Sequence, residues 1–202
     1  MAGVLRGLLS GSILSGTPLL YATLAELLGQ RAGVVNLGLE GVMLVGAVTG
    51  FITAVHTGSA AAGLVAAALA GGLFNLVFAF LVVTRGANQL ATGLALMFGG
   101  VGLSALMGAR YVGSQVAGLP ELFVHDALVY AAVPLAVLTW WVLSSTRWGL
   151  AIRAVGENPV AAFAAGKDPR MLQYQALFVA GMLGGIAGAH LSLGVARTWS
   201  EW

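Results

Sequence analysis

The side chains able to do chemistry are few, and they fall in two places. The first is an apolar run in which Asn36 and Glu40 stand four residues apart. On a continuous helix that spacing puts both on one face. An ionisable group within a membrane span is costly and by default marks a functional site. The pair reads as the polar lining of a solute path or as a fixed break in the helix. The plainer alternatives are an interhelical hydrogen bond, or a pairing of Glu40 with Arg31 near the surface. Asn88 and Gln89 open a later apolar run, where capping alone would explain them. Asn75 and His190 are lone polar residues and read as hydrogen-bonded packing groups. His56 and His125 read as loop residues.

The second place is Arg147–Arg170, RWGLAIRAVGENPVAAFAAGKDPR, with the basic residues Arg147, Arg153, Lys167 and Arg170. It is a polar island in an apolar chain, and it spells a short helix. Asn158 is a good N-cap, because its side chain accepts a bond from an orphan amide. Pro159 follows at the first helical position, where its missing N–H costs nothing. Val160 to Ala165 favour helix, with Val160, Phe163 and Ala164 on one side. Gly166 is placed for the left-handed residue that ends a helix. Asp168 and Pro169 then cap and open the next span, and Arg170 anchors its interface. The helix is about two turns, too short to be stable alone in water. Either its own bundle holds it or a docked partner does. From spacing alone, an ordinary inter-helix loop fits equally well.

Enzyme motifs are absent. There is no Gly-x-x-x-x-Gly-Lys run to bind ATP, no Gly-x-Ser-x-Gly elbow and no His-Glu-x-x-His site. No two histidines have metal-ligand spacing on one element, and cysteine is absent. The sequence therefore offers no catalytic residue, no metal site and no cofactor, and an intramembrane enzyme is disfavoured.

The elements that must position these groups are membrane helices. Of 202 residues, 59% are hydrophobic and 8% charged, against about 25% charged in soluble domains. Mean hydropathy is +0.94. The expected fold class is all-α, a polytopic helical bundle, with spans near 7–28, 33–55, 60–83, 89–108, 127–145 and 171–194. Pro18 and Glu26 suggest that the first kinks or ends early, and Pro134 suggests a kink in the fifth. The net charge of +2 does not signal nucleic acid, because the basic residues sit between apolar runs as cytoplasmic loops require. With the island inside, Arg31 and Arg85 also fall inside, while Arg6, Arg110 and Arg197 fall outside. The N-terminus is then outside. Small-xxx-small ridges occur at Gly7/Gly11/Ser15, Gly46/Gly50, Gly181/Gly185 and Gly184/Gly188, the spacing that lets helix backbones approach closely. Gly99, Gly100 and Gly102 suggest a flexible or broken helix.

The island resembles the cytoplasmic loop of ABC importer permeases, in the branch serving simple sugars, nucleosides and branched-chain amino acids. The resemblance implies that its short helix is the coupling helix, which docks in a groove of the ATPase subunit. By motif match Gly156, Glu157, Asn158, Pro159, Ala162 and Gly166 inherit that role, with Arg153 just before them. Residues 26–46, ELLGQRAGVVNLGLEGVMLVG, resemble the first block of the nucleoside-type permeases, with VVNLGLEG as the discriminating part. ANQLATGLALMF at 87–98 is similar to a third block, which lies near the pathway and adds Asn88 and Gln89 to Asn36 and Glu40 as pathway candidates.

The resemblance implies a permease domain over 1–202 with the cytoplasmic loop at 147–170, in a bacterial cytoplasmic membrane. The family continues into further membrane helices where this sequence stops, so the C-terminal part is expected to be missing. Implied partners are an ATP-binding subunit, a second permease subunit, an extracytoplasmic substrate-binding protein and the lipid bilayer, with no nucleic acid. The implied solute is a nucleoside first and a simple sugar next. The alternative is a polytopic carrier or channel that needs no ATPase.

Overall fold

A computed structural model describes residues 2–122 and 124–199. The helices are α1 (Ala2–Arg31), α2 (Leu39–Thr57), α3 (Ala60–Ala79), α4 (Gln89–Gly108), α5 (Ala127–Ser145), α6 (Arg147–Glu157), α7 (Pro159–Ala164) and α8 (Pro169–Ala189). Wider π-helical turns extend α3 through Phe80–Thr84 and α8 through His190–Ala196. A two-residue hairpin pairs β1 (Glu121–Leu122) with β2 (His125–Asp126). Among the described residues five helices are long and apolar enough to cross a membrane: α2, α3, α4, α5 and α8 with their extensions. α1, at 30 residues, is the sixth long helix. The expected all-α polytopic bundle is therefore the observed one.

Local chemistry starts most of these helices. Ser59, Asn88, Asp126, Thr146, Asn158 and Asp168 each accept a bond from an amide in the first turn of the helix that follows. Such bonds satisfy donors that have no intrahelical partner. Three expected boundaries shift. α1 does not end at Pro18 or Glu26 but runs to Arg31, and Glu26 accepts a bond from Gln30 at 3.1 Å. α4 is unbroken through its glycines. The third shift is the largest: residues 33–38, expected within span 2, are not helical, and the break they form begins at Ala32.

α2, α3 and α8 form the centre of the bundle, with α1 against α8 and α4 against α2. Lipid is as apolar as leucine, so close backbone approach and polar bonds must hold such helices together. The glycine ridges of α2 and α8 do this. Gly46 lies against Gly185, Gly185 against Ala67 and Gly71, and Gly188 against the Met43 carbonyl. Gly100 of α4 rests on Gly41. Gly7 and Gly11 have no such neighbour among the described residues, so the expected ridge on α1 is uncovered.

The break at 32–38 survives because its polar groups are bonded. The amides of Ala32, Gly33 and Val34 donate to carbonyls at the end of α1. The Val35 amide donates to Gln89 Oε1 at 2.9 Å, and the Gly38 amide to Asn36 Oδ1 at 2.8 Å. Asn36 Nδ2 then donates to Asn75 Oδ1 at 2.7 Å, and Asn75 Nδ2 to the Leu177 carbonyl at 2.6 Å. Asn36 and Asn75 are both buried. One chain of bonds thus ties the break to α3 and α8.

Two stability predictions follow from this packing. Gly185→Leu drives a side chain into the α3 backbone at Ala67 and Gly71 and is expected to cost at least about 1–3 kcal/mol; Gly102→Ala, with open space around its added carbon, is expected to be near neutral. Asn75→Leu strands the Asn36 side-chain amide, which is buried, and is expected to cost about 1–3 kcal/mol. Thermal unfolding of the detergent-solubilised protein measures all three.

Candidate functional site

α6 and α7 build an arm at one end of the bundle. Thr146 caps α6 through the Gly149 amide at 3.0 Å. One face of α6 is buried through Gly149, Ala151, Ile152 and Val155. Asn158 ends α6 and caps α7, its Oδ1 accepting the Ala161 amide at 3.0 Å. Gly166 takes φ +79°, the left-handed conformation. The Lys167 amide then reaches the Ala162 carbonyl, and the Gly166 amide reaches that of Phe163. These two bonds close the helix in a Schellman motif. Six residues cannot hold a helix alone, so the caps and the buried Ala162 carry it.

The outward face of α7 is apolar. Val160 is 77% exposed and Phe163 69%. Beside them a cleft of about 650 Å³ is lined by Val83, Pro159, Asp168, Arg170 and Gln173 as well. Glu157, Asn158, Pro159 and Gly166 are exposed around this face, whereas Ala162 lies beneath it. Arg153 lies apart: it is half-buried and lines a different cleft with Leu27, Arg31, Leu143 and Ser144. Its Nε is buried without a hydrogen-bond partner. Gly156 faces inward, where only a glycine fits against the Arg31 carbonyl and the Gly33 amide. Gln173 Nε2 donates to the Ala32 carbonyl at 3.1 Å. The arm therefore bears directly on the start of the break in span 2.

The four pathway candidates separate. Asn36 and Glu40 do not share a helix face, because Asn36 lies in the break and Glu40 in the first turn of α2. Asn36 is committed to the buried chain of bonds. Asn88 caps α4 through the Ala91 amide, and Gln89 holds the Val35 amide. Glu40 is exposed, and no hydrogen bond or ion pair among the described residues engages it. It does not pair with Arg31. Its neighbour Leu39 packs on Gly184 and Gly41 packs on Gly100. Gly184 lies about 22 Å along α8 and Gly100 about 17 Å along α4 from their starts, at about 1.5 Å per residue. Non-helical residues advance farther per residue than helical ones, so the break carries Glu40 deeper than an unbroken span would.

At the opposite end a buried pair escaped the sequence. His190 Nε2 lies 2.9 Å from Asp126 Oδ2, with both residues buried. Asp126 also caps α5 through the Leu128 and Val129 amides. The partners are 64 residues apart, and no spacing rule links them. His56, expected in a loop, is in the last turn of α2, and its Nε2 lies 2.7 Å from the Tyr111 hydroxyl. His125, likewise expected in a loop, is in β2 and its Nε2 lies 3.5 Å from the Ser10 hydroxyl. α6 was also missed, although Thr146 followed by apolar residues at helical spacing signals it. Among the described residues no three His, Asp or Glu side chains cluster as a metal site would require.

Comparison with known proteins gives this arrangement a family. A Haloferax volcanii protein, provisionally named a glucose ABC transporter permease, is 35% identical over 96% of this chain and 64% of its own length. The guanosine ABC transporter permease NupQ of Bacillus subtilis is 29% identical over 92% of this chain and 66% of its own. The nucleoside ABC transporter permease NupC of Lactococcus lactis is 29% identical, with coverages of 99% and 71%. The chain thus spans about two thirds of the length of these relatives. No solved structure matches it. The family model described as "Branched-chain amino acid transport system / permease component" matches residues 8–201, and with that match over almost its whole length the chain belongs to this permease family.

Proposed function

We propose that this chain is a membrane subunit of an ATP-driven ABC importer, moving a small polar solute by alternating access. A nucleoside is the preferred solute, and a simple sugar the next. The VVNLGLEG block favours the nucleoside, and the names of the relatives span both classes. Hydrolysis belongs to a separate ATP-binding subunit, since the sequence has no Gly-x-x-x-x-Gly-Lys motif. A second permease subunit and an extracytoplasmic binding protein complete the assembly, and the membrane is the bacterial cytoplasmic one, with the α7 end inside.

The observation that carries the reading is the outward apolar face of α7. Water gives no reason to expose Val160 and Phe163 on a helix whose other side is buried. A docking groove on a partner does. The rigid caps of α7 and the backbone contact of Gly156 with residues 31 and 33 offer a route for the partner's motion. A push on α7 bears on the break in span 2, and hence on the middle of the bundle. Glu157, Asn158, Pro159 and Gly166 frame the docked surface. Ala162, Gly156 and Arg153 set how the arm sits on the bundle.

Burying a Phe side chain is worth about 1.5–3 kcal/mol, so Phe163→Ser is expected to weaken docking roughly tenfold or more. Co-purification with the ATP-binding subunit and solute-stimulated ATPase in proteoliposomes measure this. Gly166→Val strains the left-handed position by about 1–2 kcal/mol and is expected to lower the coupling of hydrolysis to uptake. Unchanged coupling in both variants, or full transport by protein purified without any ATPase, would favour a carrier instead.

A further inference from the structure

Glu40 is left over by both the packing and the arm. Its side chain sits near the middle of the bundle's height, exposed on a face of α2 that the extension of α8 borders at Ala47. Glu40, Leu44 and Ala47 follow one another at helical spacing along that face. With Met43, Leu191 and Ser192 they line a cleft of about 240 Å³. The walls are apolar apart from Glu40 and Ser192. The Ser192 hydroxyl is already spent, donating to the Ala47 carbonyl at 3.0 Å. Glu40 is the one charged side chain of this cleft, and no described residue bonds to it.

An ionisable side chain at this depth does not face lipid; it faces a water-filled cavity or the interior of an assembly. No cation in the described structure neutralises it. A carboxylate only accepts hydrogen bonds, and its two oxygens can take two neighbouring donors at once. Two adjacent hydroxyls on a sugar ring match that geometry. The apolar walls suit the C–H face of such a ring, as solute pockets combine apolar walls with a few placed polar groups. A phosphorylated solute would bring like charge to Glu40 in a poorly screened site.

We infer that Glu40 selects the solute by accepting hydrogen bonds from the vicinal hydroxyls of a neutral sugar or ribosyl ring while its apolar face rests in the Met43–Leu44–Leu191 cleft. This rests on the transport reading above. It adds the chemical feature recognised and the residue that recognises it.

The test is a cycle between protein and solute in proteoliposomes holding the assembled transporter. ATP-driven uptake of guanosine and of 2′-deoxyguanosine, whose ring carries no vicinal hydroxyl pair, is measured for wild type, Glu40→Gln and Glu40→Asp, with glucose as a second intact solute. Hydrogen bonds to a charged group predict a fall of roughly tenfold or more in uptake of the intact solute for Glu40→Gln. Uptake of the deoxy analogue falls far less, and Glu40→Asp recovers part of the loss. The binding protein is the same throughout, so its own preference cancels in the cycle. An equal fall for both solutes, or no fall for either, overturns the assignment of Glu40 while leaving the transport reading intact. Failure of wild type to take up either solute overturns both.

Discussion

An interrupted helix inside a bilayer must have its freed backbone groups bonded by protein, because the hydrocarbon offers none. In this molecule that constraint falls on residues 32–38. Carbonyls at the end of α1, the Gln89 side chain and Asn36 itself take up the exposed amides, and Asn75 anchors Asn36 to the Leu177 carbonyl of α8. The arrangement has two consequences. α2 begins well inside the bundle, and Glu40 is carried there with it. The break is also tied to α1, α3, α4 and α8 at once, so it shifts only if those helices shift.

The glycine contacts serve the same end. α8 comes close enough to α3 for the Leu177 carbonyl to reach Asn75 because Gly181 and Gly185 replace side chains with backbone at the α3 interface. Gly41 and Gly100 do the same between α2 and α4, and Gly33 and Gly156 between the break and the arm. Glycines thus act at each of these close approaches of one backbone to another. Helix association in lipid depends on such fits rather than on a hydrophobic drive.

The two ends of the bundle are built differently. At the α7 end, the contacts are helix caps and backbone approaches, and an apolar face is left outward. At the other end the chain closes on itself. Asp126 joins α5 to the π-helical turn after α8 through His190, and Trp199 packs on Phe51 with its amide bonded to the Ser114 carbonyl. π-helical turns recur at functional sites, and here one sets the buried His190 against Asp126.

The sequence by itself determined whatever rests on neighbours along the chain. α4 and α5 appear at their expected bounds, and Asn158, Pro159, Gly166, Asp168 and Pro169 act as caps and first-turn residues, since a cap is a local bond. The family was legible for the same reason, in contiguous blocks such as VVNLGLEG and RAVGENPVAAFAAG. Tertiary structure alone decided which polar groups are spent. Asn36 and Glu40 look like one helical pair until Asn75, on a distant helix, draws Asn36 into a break and leaves Glu40 unpaired. His190 looks solitary until Asp126 arrives from 64 residues away. Spacing along one helix carries no information about a partner on another, and inside a membrane the availability of that partner decides whether a polar side chain holds the structure or is left unpaired.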